Sequence, residues 1–434
     1  MPATQATNDT RPLLEPFRPG IDGPWNRETA SHLARRATFG APPALVDALL
    51  AQGPAEAPRR LLAARDAGDG PRVVAETARR VGDLETVQGW WGYRMLLGEA
   101  PVIDKLALFW HGHFATSEQK VDNARLMMRQ IELFQEKGAG NFGELLLEIA
   151  RDPAMLIWLD SNSNRRGTPN ENWARELMEL FSLGIGNYTE VDIKEAARAF
   201  TGWHVRRGEY FFNRRAHDES EKRVFEKAGV LGGDDVVALC LGKPACSEFI
   251  AGKLFEYYVR LGPHDALRTE LGALYDECGK HTGEFLARLW SSRVFYESGS
   301  RRSLVSSPAD FVIGSLRTVG ARANAQHVAK AMATMGQDLL RPPSVKGWDA
   351  GMAWLDSNRL LARFRFAAAI AGGGEVQCTV PWDELDAEGV GGIVARFFPD
   401  GLPHAVRAAL DGAVGNDSKL GLAGCLQLPE YQYI

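Results

Sequence analysis

The stretch TPNENWARELMELFSLG, Thr168 to Gly184, decides how the rest of the chain is read. Thr168 followed three residues later by Glu171 is a capping-box pattern, Pro169 suits a first helical position, and Gly184 suits a left-handed stop. The spacing predicts a helix from Pro169 to Leu183. At about 100° per residue, Trp173, Ala174, Leu177, Met178, Leu180 and Phe181 share one broad arc. Glu171, Asn172, Arg175, Glu176 and Glu179 share the opposite one. Arg175 stands four residues from both Glu171 and Glu179, and on an exposed face each such pair is worth only a few tenths, about 0.2–0.5 kcal/mol. A solvated face and the floor of a cleft both fit this segregation.

Outward from that helix the same grammar repeats. YTEVDIKEAARAFTGW has Thr189 as a cap, Asp192 three residues on and Gly202 as the stop. On the other side, LDSNSNRRG is a polar loop. Its Asp160, Asn162 and Asn164 alternate like early calcium ligands, but the sixth-position glycine and the closing glutamate are missing. RETASHLARRATFG, SEQKVDNARLMMRQIELFQEKG, KLFEYYVRLG, AQHVAKAMATMGQDLL and RLLARFRFAAAIAGGG carry helical periodicity. Only GEYFFNRR around Tyr210 and VQCTV near Cys378 have strand character. The expected fold is all-α, a large multi-helix single domain with at most a short β-hairpin. Residues 1–26, rich in Pro, Thr and Asn, are expected as a flexible lead-in. The main helical domain is expected over 27–374, and a C-terminal helical subdomain packed on it over 375–434, with Gly372 to Gly374 as the hinge.

Composition narrows the function. Hydrophobic residues make up 45% and charged residues 24%, enough apolar surface for a sizeable core. A net charge of −5 and scattered arginine pairs offer no basic field for nucleic acid or anionic lipid. The five cysteines are too dispersed for a disulfide scaffold or a CxxC metal site. The first residues lack the architecture of a signal peptide, and no apolar run reaches the ~18 residues of a membrane span, so the chain as written is expected to be cytoplasmic.

Histidines are the other candidate groups. FWHGHF places His111 and His113 two residues apart, about 200° around a helix, so joint metal ligation needs a break at Gly112. His217 and Asp218 sit side by side in RRAHDESEK. HExxH, GxSxG, GxGxxG and GxxxxGK[ST] are all missing, which removes the usual zinc-protease, serine-hydrolase and nucleotide-binding signatures.

The ordered segments HLARRATFG, FWHGHFATS, GNFGELLLEIARDPAMLIWLD, PNENWARELMELFSLGIGNYTEVD, EAARAFTGW, SPADFVIG, MGQDLLRPPSVKGW and LPEYQY resemble the bacterial family known as domain of unknown function 1800, over nearly the whole chain. The resemblance implies a largely helical protein. Many similar proteins carry export signals, which this chain lacks, and are encoded beside a sulfatase-like family, which implies a paired task in envelope or polysaccharide handling. The family tends to have a lysine before its Ser-Pro, where this chain has Ser306, and a Gly-Lys segment after its His-Asp, where this chain reads ESEKRVFEKAG.

Because the polar arc belongs to the segments that carry the resemblance, it becomes the expected site. The leading expectation is a hydrolase-type enzyme, with Glu176 and Glu179 as acid and base and Arg175 tuning them or gripping an anionic group. His113 and His217 would approach from neighbouring segments. Asp160, Asn164, Asn170, Asn172, Trp203 and Asp218 would contact substrate. Paired carboxylates suit hydrolysis of a saccharide or envelope-related substrate. His111, His113 and Glu176 equally suit a catalytic divalent ion. The alternative is a non-catalytic scaffold, with the stripe as a structural polar network and WWGY and GWDAGMAWL as aromatic anchors.

Overall fold

The helix Pro101–His113 starts on a proline at its first position, and every residue in it except Gly112 is buried. A helix buried on all sides must be wrapped by others. The helix Leu84–Leu97 and the amphipathic helix Ala124–Lys137 do so, each begun by a side-chain cap, Asp83 on the Thr86 amide and Asn123 on the Leu126 amide. Further helices extend the packing in layers around one hydrophobic core that runs from Phe17 to Tyr431. The computed structural model describes residues 11–66, 69–373 and 376–434. The fold is a predominantly all-α single domain, 62% helical, as the periodicity predicts.

Three two-stranded antiparallel sheets are present among the described residues. Trp203–Arg206 pairs with Glu209–Phe212 at the expected Tyr210 hairpin, in the register Trp203↔Phe212 to Arg206↔Glu209. Cys378–Thr379 pairs with Arg322–Ala323. The hairpin of Lys222–Val224 with Lys227–Gly229 has no counterpart in the sequence reading, because its arms are short and lack a run of apolar or β-branched residues.

Of the expected lead-in, residues 11–26 are tied to the body. The Phe17 amide donates to the Ser291 carbonyl at 2.8 Å, the Arg293 amide to Glu15 at 2.8 Å, and the Phe17 ring is buried against Tyr296. At the expected hinge, Gly372 has φ +109 and kinks the chain after the helix Ser357–Ala368, whereas Gly374 and the 374/375 boundary lie outside the described residues. The chain then forms the helices Trp382–Phe397, His404–Val414 and Ser418–Gln427. Its last residues return to the main body. Tyr433 bridges to Val305, Gln432 accepts from Arg363 Nη1 at 3.1 Å, and the Tyr431 ring meets Phe311 and Phe397.

His111 shows what burial does to a candidate ligand. Its ring is fully buried edge-on between Trp91 and Trp348, at 5.6 and 5.3 Å between centroids, and neither ring nitrogen has a hydrogen-bond partner. Burial alone pushes its pKa down to about 3, so the folded protein keeps it neutral while the unfolded chain protonates near the ordinary value. The unfolded state then binds more protons on the acid side. Stability from this group is full above the unfolded pKa and falls as pH drops toward the folded one. His111→Phe, which keeps an aromatic ring in the slot, is expected to make the stability loss between about pH 6.5 and 4.5 shallower by about one proton, or ~1.4 kcal/mol per pH unit. Urea unfolding across that range checks it, and an unchanged slope contradicts it.

Candidate functional site

The helix expected from Pro169 begins later and winds differently. Thr168 is spent on a tight turn, its amide donating to the Arg165 carbonyl at 3.0 Å, so the expected capping box with Glu171 does not form. Asn170 takes over the capping: its Oδ1 accepts from the Asn172 amide at 2.8 Å, and its own amide donates to Asn164 Oδ1 at 3.0 Å. An α-helical turn over Asn172–Glu176 then passes into a π-helical turn over Leu177–Ser182, and Gly184 adopts φ +77 as the spacing requires. Trp173, Ala174, Leu177, Met178 and Phe181 are buried, as the arc predicts.

The polar arc is largely satisfied within itself and by the next helix. Arg175 donates to Glu171 at 3.0 Å and, through both terminal nitrogens, to Glu190 at 2.8 and 2.9 Å. Tyr188 donates to Glu179 at 2.9 Å. Glu176 is half-buried and has no hydrogen-bond partner among the described residues. Burial and the neighbouring Glu179 raise its pKa, against Arg175 and Lys346.

The other expected site residues fall into separate places. Asp160 has φ +57 and pairs with Lys120 at 2.7 Å. Asn164 is buried and donates to the Ala197 carbonyl at 3.0 Å, while the Asn170 and Asn172 side chains bond within the same loop, to Ser163 and to Leu159 and Asp160. Trp203 is buried edge-on to Phe200, with Arg151 over its ring. His217 Nδ1 donates to the Thr201 carbonyl at 2.8 Å. Asp218 is held by Arg198 at 2.8 Å and by Ser220; burial pushes its pKa up, but these bonds outweigh it and leave the carboxyl well below the usual range. Among the described residues, no hydrogen bond or ion pair joins His217 or Asp218 to Glu176, Glu179 or His113. Nor is any group of three or more His, Cys, Asp or Glu side chains there placed to hold a metal ion. His111, His113 and Glu176 therefore do not form the expected ligand set.

The cavity with converging polar groups lies elsewhere, at the C-terminal end of the 101–113 helix. It holds about 300 Å³, and its walls include the rings of Phe109, Tyr257, Trp348 and Trp354. Of the expected residues it contains His113. The loop carrying Trp348 lies directly on the helix end: Gly347, at φ +85, sits where a Cβ would be 2.4 Å from the Gly112 carbonyl. The π turn supplies the second support, because His113 Nε2 donates to the Phe181 carbonyl at 3.0 Å. That bond puts the ring proton on Nε2 and leaves a lone pair on Nδ1. Burial, then Lys253, lower the His113 pKa well below its ordinary value, against the Phe181 carbonyl.

Nδ1 faces Lys253 Nζ at 3.5 Å. Lys253 comes from the helix Pro244–Tyr258, one turn before Glu256, and both line the cavity. Burial brings its pKa down to about 8, with Glu256 opposing. Glu256 is paired with Arg268 at 3.6 Å. Asp349, Ser307, Gln337 and Asp310 complete the polar part of the wall.

Behind Asp310 stands a buried cationic cluster. Lys105 Nζ donates to Asp310 at 2.7 Å and to the Arg35 and Thr38 carbonyls at 2.8 and 2.7 Å, which uses all three of its protons. Arg36 and Arg363 are also buried. Burial lowers them to about 9 and about 10, with Asp310 opposing in each case. The Asp310 carboxylate also accepts from Ser307 Oγ at 2.8 Å in the capping box of the helix Pro308–Thr318.

No catalytic motif in the sequence marks Lys253, Glu256, Asp310 or Asp349. The signal that could have found Lys105 and Lys253 is a lysine inside an apolar run, in VIDKLALFW and again in IAGKLFEYY.

Fold and site together define an α-helical single-domain protein with an aromatic-walled cavity that sets a half-buried lysine beside a buried histidine. Its sequence matches, over residues 32–433, the model of the family described as protein of unknown function (DUF1800), and the chain belongs to that family. No curated protein and no solved structure matches it. No helix among the described residues is long and apolar enough to cross a membrane.

Two substitutions separate the buried cluster from the surface stripe. Asp310→Asn removes the carboxylate facing Lys105, Arg36 and Arg363 and is expected to cost about 3–5 kcal/mol. Arg175→Ala breaks half-exposed pairs and is expected to cost less than about 1 kcal/mol. Denaturant midpoints measure both, and a reversed order contradicts the assignment.

Proposed function

We propose that the protein is an enzyme of hydrolase type whose reacting centre is the cavity at the end of the 101–113 helix. The carrying observation is the Lys253–His113 pair: an amine on the cavity wall beside an imidazole whose protonation pattern is set by the Phe181 carbonyl. Hydrolysis needs a base to take a proton from water and an acid to return one to the leaving group. Lys253, with His113 beside it, takes the first proton as an amine and returns it to the leaving group as an ammonium, while the wall carboxylates Glu256 and Asp349 accept from substrate hydroxyls.

The cavity volume suits a small polar molecule. Aromatic walls offer flat apolar surfaces for the C–H faces of a sugar ring, and the carboxylates offer acceptors for its hydroxyls, which supports a saccharide substrate. An envelope substrate and a sulfatase-like partner rest on the family resemblance alone. The stripe of Glu171, Arg175, Glu176 and Glu179 then serves to hold the π turn, and through it the Phe181 carbonyl, in place.

A screen of chromogenic glycosides and esters with the purified protein tests this. For any substrate found, Lys253→Met is expected to lower kcat by at least about 100-fold, with the folded state checked by thermal melting. Glu176→Gln is expected to retain most of the activity. Loss of activity in Glu176→Gln with retention in Lys253→Met would return the reacting centre to the stripe.

A further inference from the structure

Lys105, which is buried, and Lys253, half-buried on the cavity wall, have opposite surroundings. Lys105 has each proton committed to an acceptor at 2.7–2.8 Å, one of them a carboxylate. Lys253 has no ion pair with a carboxylate among the described residues. Its nitrogen faces His113 Nδ1 at 3.5 Å and the Phe249 ring at 4.9 Å, and it opens on the cavity. Burial lowers the Lys105 pKa too, but Asp310 opposes it and every proton of the ammonium has an acceptor. Lys253 is built to reach the free amine, and a desolvated amine beside a proton acceptor is a nucleophile for carbonyl carbon.

We propose that Lys253 is a covalent nucleophile and that the cavity takes small neutral aldehydes or ketones, of the open-chain sugar kind, as an imine on its Nζ. This rests on the reading that the cavity is the reacting centre, and it adds the substrate class. Asp310 is balanced by the cationic cluster behind it, so Glu256 and Asp349 are the wall carboxylates that disfavour an anionic carbonyl compound and suit one bearing hydroxyls. In the step, the amine lone pair forms a C–N bond as the carbonyl π pair moves onto oxygen. One amine proton passes to His113 Nδ1 and returns to the oxygen, which takes a second proton from solvent and leaves as water. The nitrogen pair then closes the C=N bond. Amine, carbonyl and one proton give iminium and water, and no oxidant or reductant is consumed.

Reductive trapping on the intact wild-type protein tests the proposal. Glycolaldehyde and sodium cyanoborohydride at neutral pH convert an imine to a stable hydroxyethyl-lysine, which peptide mapping by mass spectrometry assigns to a position. A parallel sample is treated with the N-hydroxysuccinimide ester of acetic acid, which acylates free amines without passing through an imine. Lys253, with its pKa at about 8, is expected to be trapped about tenfold faster than the exposed Lys227 and Lys330. Fast acetylation without trapping overturns the imine and leaves Lys253 as the proton acceptor of a hydrolase. Slow modification in both samples overturns the imine together with the reading of the cavity as the reacting centre.

Discussion

The buried ammonium of Lys105 is the interaction on which the remaining structure depends. Moving a charge into the interior costs several kcal/mol unless its hydrogen bonds are all remade. Here they are remade by groups 67, 70 and 205 residues distant in sequence: the Thr38 and Arg35 carbonyls and the Asp310 carboxylate. The end of the helix Arg27–Ala37, the middle of the central 101–113 helix and the start of the 308–318 helix are thereby fixed to one point. Arg36 and Arg363, close enough to feel the same carboxylate, bind the 300–306 segment and the returning C-terminal residues to it.

The cavity follows from that anchor. With its middle held by Lys105, the central helix carries His113 eight positions on, about 12 Å further along its axis. There the ring meets two independent supports. One is the Phe181 carbonyl on the π turn, where the Leu183 amide reaches back to Met178 at 3.1 Å and Ser182 Oγ donates to Leu177. Single π turns recur at functional sites because they shift a carbonyl out of its helical pairing. The other is Lys253, presented by a separate helix. A proton on Nε2 and a lone pair on Nδ1 are therefore consequences of packing, set before any substrate enters.

Much of this fold is written locally and is readable there. The caps at Thr189 and Ser307, the left-handed Gly184, the buried arc of Trp173 and Phe181 and the hairpin at Tyr210 each depend on residues a few positions apart. The capping box at Thr168 is the local pattern that does not form, because the Thr168 amide is taken by the Arg165 carbonyl in a tight turn and the helix starts later, with Asn164 and Asn170 accepting from the Asn170 and Asn172 amides. The site is less legible. Segregation of Glu171, Arg175, Glu176 and Glu179 onto one face shows which side of the helix is polar, not whether those charges satisfy one another, and Arg175 is satisfied partly by Glu190 from the next helix. VIDKLALFW and IAGKLFEYY look alike as sequence, each a lysine in an apolar run. Only the fold, by bringing Asp310 to one and a cavity to the other, makes the first a structural tie and the second a reactive group.

The most direct test of this account is the protonation state of His113, because the anchored helix, the π turn and the lysine partner all converge on that ring. Nitrogen-15 chemical shifts of histidine-labelled protein, with His113 assigned by substitution and read between about pH 5 and 8, report it without any substrate. The account predicts a neutral ring throughout, protonated at Nε2 and bare at Nδ1. A ring protonated at Nδ1, or one that becomes an imidazolium near the ordinary histidine pKa, would contradict it.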